Sequence, residues 1–481
     1  MPRSTGIIAV VLVALTATTD GQSPDATAKF SPKDRAFVAY AQPLLAIAHA
    51  QIVDGTGAPP KTDMTMVVRD GRIETLGPSS QVKVPIGATT IDAKGKTLLP
   101  GLVMVHEHMF YPSQPGIFVQ LPYSFSRLYL AGGTTTLRTG GTLSPDMDLN
   151  LRRAIEAGLQ PGPDMDVTGP YIGGPSSAVP AIPYVANARE ASDITRFWAS
   201  RGVTSFKVYE DITRDELKAV VREAHARRLK VTGHLCSVTH AEAADLGIDN
   251  IEHSFMFPTD FVANKKADVC PDSLQVQEAL ARIDSGGPEA ASLIKKLVAH
   301  NVALTSTLAV AEIRVAGVPK QPEVVLQLLT PQCRAAYEQG WASYQTSPIA
   351  KANAAAYLTL VPMERRFVAM GGLLLSGTDP TSYGGLLPGF AALRQLTLLV
   401  KGGFSLPEAV QISTLNGARF LGREKNVGSI QAGKRADLLL IDGDPVADIA
   451  ALDQLSVVFK AGVGYRRKAI LDSLRGKVGL Y

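Results

Sequence analysis

Two histidines one residue apart, His106 and His108, close a short apolar run in the stretch L-L-P-G-L-V-M-V-H-E-H-M-F. Alternate residues of a strand share a face, so these two imidazoles point together while Glu107 points the other way. Such a pair is a natural half of a metal site; the competing interpretation is a pair of satisfied core or rim histidines. Four more chemically able residues follow apolar runs: Lys207 in G-V-T-S-F-K-V-Y, His234 in K-V-T-G-H-L-C, His253 in G-I-D-N-I-E-H-S and Asp379 in L-L-L-S-G-T-D-P. An ammonium on Lys207 is costly to bury, particularly beside cations. A carboxylate partner would resolve that cost. So would reaction with CO2, which turns the amine into a carbamate able to bridge two metals roughly 3.5–4 Å apart that share a hydroxide.

The elements that must position these residues alternate between strand-like runs and amphipathic helices from Pro100 to about Gly422. Strands are predicted over 102–105, 134–138, 165–168, 204–208, 230–232, 250–251, 302–306 and 373–375. Thr213 caps a helix with Leu217, Val220, Val221 and Ala224 on one face, and Ser405 opens another. Eight strands alternating with helices predict an α/β fold, a (β/α)8 TIM barrel. Such barrels carry their active sites at the C-terminal ends of the strands, where each residue named above falls. The segments 255–296 and 314–355 are longer than barrel connections usually are and are expected to cap the mouth.

Short alternating segments punctuated by D-G and G-P turns flank this middle, with Asp70-Gly71 as a hairpin turn, and the same texture returns near the C-terminus. The two ends are expected to form one small composite β-sandwich domain. The expected division is a signal peptide over 1–22, the N-terminal portion of the β-sandwich over 40–98, the metal-dependent hydrolase barrel over 99–422 and the C-terminal portion of the β-sandwich over 423–481. The signal peptide reading rests on M-P-R-S-T, an apolar run over 6–17 and a polar flank, too short to span a bilayer. An N-terminal apolar strand or helix is the alternative. A signal peptide implies a secreted or periplasmic protein with no stable membrane association once it is removed.

Composition narrows the partners. The 481 residues are 46% apolar and 19% charged, and the net charge of +4 is spread without a basic run, so no nucleic-acid partner is expected. A small-molecule substrate is expected, and a homo-oligomer is compatible with this reading. Three cysteines, Cys236, Cys270 and Cys333, leave at least one thiol free, and Cys270 with Cys333 is the pairing considered. Tyr209, Cys236 and His240 are near enough in sequence to the candidate ligands to reach the substrate, Tyr209 and His240 foremost. Each has a structural alternative. His49, His225 and His300 are expected to be structural.

Taken together, L-P-G-L-V-M-V-H-E-H, F-K-V-Y, G-I-D-N-I-E-H, S-G-T-D-P and the closing V-G-S-I-Q-A-G-K-R-A-D-L-L-L-I-D-G-D-P resemble the metal-dependent amidohydrolase superfamily. The likeness is to the imidazolonepropionase-like branch that includes prolidase-like dipeptidases. It implies a site for two divalent metals, most often zinc: His106, His108 and Asp379 on the buried one, His234 and His253 on the outer one, and Lys207, carbamylated by CO2, bridging. Asp379 would carry the proton from the attacking water to the leaving nitrogen. Met104 departs from the pattern, standing where many relatives carry an aspartate. The expected activity is hydrolysis of a C–N bond by a hydroxide shared between the metals, as in a dipeptidase or N-acyl amino acid hydrolase. Hydrolysis of a cyclic amide or lactone is the nearest alternative, a mononuclear deaminase is disfavoured because such relatives do not need Lys207, and a catalytically silent binding protein on the same fold is the alternative of another class.

Overall fold

A computed structural model of the chain describes residues 27–114, 116–174 and 184–480, so the expected signal peptide lies outside the described residues. Nine parallel strand segments carry the middle of the chain. They are β1 (Leu102–Glu107), β2 (Thr134–Thr139), β3 (Asp164–Asp166), β4 (Thr168–Ile172), β5 (Ser205–Val208), β6 (Lys230–Gly233), β7 (Asn250–Glu252), β8 (Ala303–Ser306) and β9 (Leu374–Ser376). All eight predicted strands are present to within a few residues. The third is broken in two at Val167, so that β3 pairs with β2 while β4 pairs with β5.

Hydrogen bonding gives two parallel sheets, β3–β2–β1 and β4–β5–β6–β7–β8–β9. Most of these strands are buried end to end, as the continuous apolar runs require once helices cover a parallel sheet. Past the end of β9, the backbone amides of Thr378 and Asp379 both donate to the His106 carbonyl at 3.1 Å, fastening the last strand to the first. The connecting helices begin where the sequence marks them. Thr213 and Ser405 each close a capping box, with Glu216 and Glu408 respectively.

The two chain ends meet in one nine-stranded sheet in which Leu438–Ile441 runs antiparallel to Thr97–Pro100, Leu439 facing Leu99. Hydrogen bonding joins the two expected halves of the sandwich in a single branched sheet, with apolar residues from both in one cluster. Leu44–Ile52 is long enough to pair with Thr89–Asp92 along one half and with Thr97–Pro100 at its end. Asp70 and Gly71 both have positive φ, 49° and 74°, the geometry that lets a two-residue turn follow the twist of the flanking strands.

The cysteines pair otherwise than considered. Cys236 and Cys270 form a disulfide, with Cα atoms 4.9 Å apart, and Cys333 is the buried free thiol. Cys333 sits in the helix Pro331–Thr346 and packs in the main core, away from Cys270, whereas the turn after β6 brings Cys236 against the 258–271 loop. Denatured, unreduced protein is therefore expected to titrate with one free thiol, rising to three on reduction.

A second consequence of the packing lies at Asp148, in the first turn of the helix Pro145–Glu156. Burial pushes its carboxyl up to about 7, only partly opposed by a hydrogen bond with Thr142. The folded state thus holds a proton that the unfolded chain releases near pH 4, and stability falls as pH rises from about 4 to about 7. Asp148→Asn should remove this residue's share of the decline, on the order of a few kcal/mol, seen as a smaller drop in urea midpoint between pH 5 and pH 8 than in the unaltered protein.

Candidate metal centre

Strand ends deliver the candidate residues to one place. His106 is the fifth residue of β1, Lys207 the third of β5, His234 follows β6, His253 follows β7 and Asp379 stands three residues after β9. Two of them sit in strained backbone: His253 at φ 63° and Asp379 at φ 48°, a left-handed region that non-glycine residues avoid. The local chain makes room for the first imidazole through glycine. A Cβ on either Gly140 or Gly377 would collide with His106, so only glycine lets the neighbouring backbones close around it.

The four imidazoles touch in series. Ring centroids are 5.2 Å apart for His106 and His108, 4.5 Å for His106 and His253, and 4.5 Å for His253 and His234. Lys207 Nζ lies 3.3 Å from His106 Nε2, and Asp379 Oδ1 lies 3.1 Å from His108 Nε2 and 3.8 Å from His106 Nε2. Asp379 Oδ2 is 4.0 Å from His253 Nδ1, and His106, His253 and Asp379 offer ligand atoms within 4.8 Å of one another. All six predicted ligands thus converge.

Proton placement tests whether these residues fit a cation. His106 Nδ1 donates to Glu252 Oε2 at 2.7 Å and His108 Nδ1 donates to the Gly141 carbonyl at 3.1 Å. In the neutral rings these partners assign the hydrogen to Nδ1 and leave both Nε2 lone pairs facing the Asp379 carboxylate. Acceptors facing an anionic acceptor in a buried cluster call for positive charge between them; Lys207 Nζ supplies part of it beside His106, and a divalent metal would fit the rest. Three of the rings, His106, His234 and His253, are held neutral by their surroundings. Burial, then the charge on Lys207, push His106 down to about 4, and burial holds His234 and His253 well below the ordinary histidine range. Burial also brings Lys207 down to about 8, against the pull of Glu252 and Asp379. Glu107 turns away from the imidazoles, as alternation requires, and binds Thr378 instead, while burial pushes its carboxyl up to about 8.

Several working parts escape sequence reading. Glu252 is clamped by Arg138, whose guanidinium also donates to Ser205 Oγ, Thr232 Oγ1 and the Val105 carbonyl from an almost wholly buried position. The signal was present as a lone arginine in the otherwise uncharged run T-T-T-L-R-T. Tyr129 braces His108 by accepting from its amide and donating to its carbonyl. Thr381 Oγ1 donates to Asp379 Oδ1 at 2.7 Å.

A cavity of about 180 Å³ opens beside the imidazoles. Tyr209 lines it, with its ring 5.0 Å from that of His234. His240 does not: it is buried at the first position of the helix His240–Asp245, because its amide and that of Ala241 are drawn to the Asp260 carboxylate. Cys236 is tied up in the disulfide. His49, His225 and His300 pair with Asp63, Asp249 and Asp245 away from the cavity.

Residues 97–463 match the model of the amidohydrolase family. Among curated relatives, a 5-methylthioadenosine/S-adenosylhomocysteine deaminase of Moorella thermoacetica is 40% identical over 84 residues, 16% of this chain and 20% of that protein. An imidazolonepropionase of Syntrophobacter fumaroxidans is 38% identical over 89 residues, 18% of this chain and 20% of that protein. The chain thus matches about a fifth of the length of these relatives. Among solved structures, a putative prolidase from Bifidobacterium longum is similar over 90% of this chain and 98% of its own, with 25% identity and a TM-score of 0.66. A Xaa-Pro dipeptidase is similar over 88% of this chain and 100% of its own, with 20% identity and a TM-score of 0.65, a likeness of fold alone. Because the family match runs from the strand before β1 through the closing strands of the terminal sheet, most of the chain's length, the chain belongs to the amidohydrolase family.

Proposed function

We propose that this protein is a metal-dependent hydrolase of a C–N bond in a small amide, such as a dipeptide or an N-acyl amino acid. The observation that carries the reading is the convergence of four imidazoles, Lys207 and Asp379 with ring nitrogens and carboxylate oxygens turned toward one another. His106, His108 and Asp379 would hold one divalent metal, His234 and His253 a second, with zinc the natural choice for such a nitrogen-rich set. Cations bound there acidify water and polarise the amide carbonyl. Hydrolysis adds water across the C–N bond, leaving a carboxylate and an amine. Asp379 takes the proton from the attacking water and delivers it to the departing nitrogen, a role supported by its place beside the imidazoles and by the hydrogen bond from Thr381 that orients its carboxylate.

Lys207 enters this reading as a carbamate. Its amine carbon–nitrogen bond forms with CO2 and one proton leaves, which requires the neutral amine that burial favours. That lysine, in contact with His106 at the centre of the cluster, favours amide hydrolysis over the deamination named for some relatives. Hydrolysis of a cyclic amide or lactone uses the same centre. The reading also takes the two parallel sheets as arcs of one (β/α)8 barrel over 99–422, supported by the Thr378 and Asp379 amides bonded to His106. The terminal segments 40–98 and 423–481 form the accessory unit, and the apolar N-terminal run exports the chain.

Metal analysis of protein purified with bicarbonate should find about two metals per chain, falling on Lys207→Ala. One metal or none in the unaltered protein would overturn the two-metal reading. Asp379→Asn should lower kcat by roughly 10²- to 10⁴-fold, more than it lowers metal content, measured on any amide that the unaltered enzyme cleaves.

A further inference from the structure

The cavity beside the imidazoles has two unlike ends. At one, Phe110 stands 4.6 Å from the His108 ring and meets Phe118 edge-on at 5.5 Å, making an apolar wall. At the other, Phe257 stacks on His234 at 4.7 Å, and the Arg314 guanidinium lies 5.3 Å from the Phe257 ring. Arg314 Nε is enclosed by protein yet donates to no acceptor among the described residues. The nearby carboxylate whose field it feels, Glu210, is engaged with His234 Nε2 at 3.3 Å. A buried guanidinium donor without an acceptor is costly, and a planar fork of donors matches a carboxylate in two parallel hydrogen bonds. Among the described residues, Arg314 is the arginine that lines this cavity, and Lys207 is the lysine.

Resting on the amide-hydrolase reading above, we propose that Arg314 is a specificity-determining residue that binds the substrate's carboxylate, and that the substrates are N-acyl amino acids with a bulky apolar acyl group. The amino acid arm, which carries the carboxylate and leaves as the amine, lies toward Arg314 and His234. The acyl arm lies along Phe110 and Phe118. The scissile bond falls between these ends, beside Lys207 and Asp379.

Three amides test this with the metal-loaded enzyme: N-benzoyl-L-leucine, the same compound without its carboxyl group (N-isopentylbenzamide), and N-acetyl-L-leucine. The unaltered enzyme should favour the first over both others in kcat/KM. Arg314→Met should cut the preference for the carboxylate over the neutral benzamide by roughly 10- to 100-fold. Arg314→Lys, which keeps the charge but loses the fork, should restore part of it. Phe118→Ala should narrow the preference for benzoyl over acetyl. Metal content is measured for each variant, so that a damaged centre is recognised, and the preference is a ratio that such damage leaves in place. Equal cleavage of the acid and the neutral benzamide, or a preference that Arg314→Met leaves intact, would overturn this inference alone. Cleavage of none of the three overturns this inference, and a set of dipeptides assayed alongside separates the two failures: if the dipeptides too are left intact by metal-loaded enzyme, the amide-hydrolase reading falls with it.

Discussion

A carboxylate buried beneath an imidazole is the contact on which the rest of the centre depends. Glu252 accepts from His106 Nδ1 and is itself gripped by Arg138, all three almost wholly removed from water. Removing any one would leave a buried charge or a buried donor uncompensated, so the trio behaves as a unit. It ties β1, β2 and β7 together with side chains rather than backbone, and Arg138 extends the same network to β5 and β6 through Ser205 and Thr232. The strand ends are thereby locked in register before any ligand is considered. The same contact chooses the His106 tautomer, which decides what its other nitrogen can do.

Around this anchor, burial does most of the electrostatic work. Imidazoles near the ordinary histidine range would be partly protonated at mildly acidic pH and would repel a cation. Enclosure removes that competition, and Lys207 adds to it for as long as it remains an ammonium. Strain is present at the same address, in the left-handed backbone of His253 and Asp379, where the chain turns out of its strand sooner than a regular ladder would allow.

Much of this was legible in the sequence because strand ends are easy to read. Short strand-like runs ending in His, Lys or Asp mark both the element and the place where a side chain can face the mouth. The supports were harder to read. Glu252 adjoins His253, and strict alternation would have sent the two side chains to opposite faces; the positive φ at His253 breaks that rule and brings both to the cluster. Arg314 and Phe257 lie in long connections, where no periodicity constrains which way a side chain turns. The cysteine pairing depends on the turn after β6 and the loop that follows Phe257, whose course no periodicity in the sequence fixes. The terminal sheet was visible as texture, but its branching depends on the length of one strand and the register of three.

The joining of the two chain ends has a bearing on how the molecule comes into being. Thr97 Oγ1 bonds to the carbonyl of Gly443, across 346 positions of sequence, and the strands on either side of that bond have no shorter route to their partners. During synthesis the first hairpins leave the ribosome with one lateral edge open, and stay so until nearly the whole polypeptide has been made. Non-local pairing of this kind slows the final step of folding and gives the nascent chain a lengthy interval in which a strand from another copy could take the vacant place.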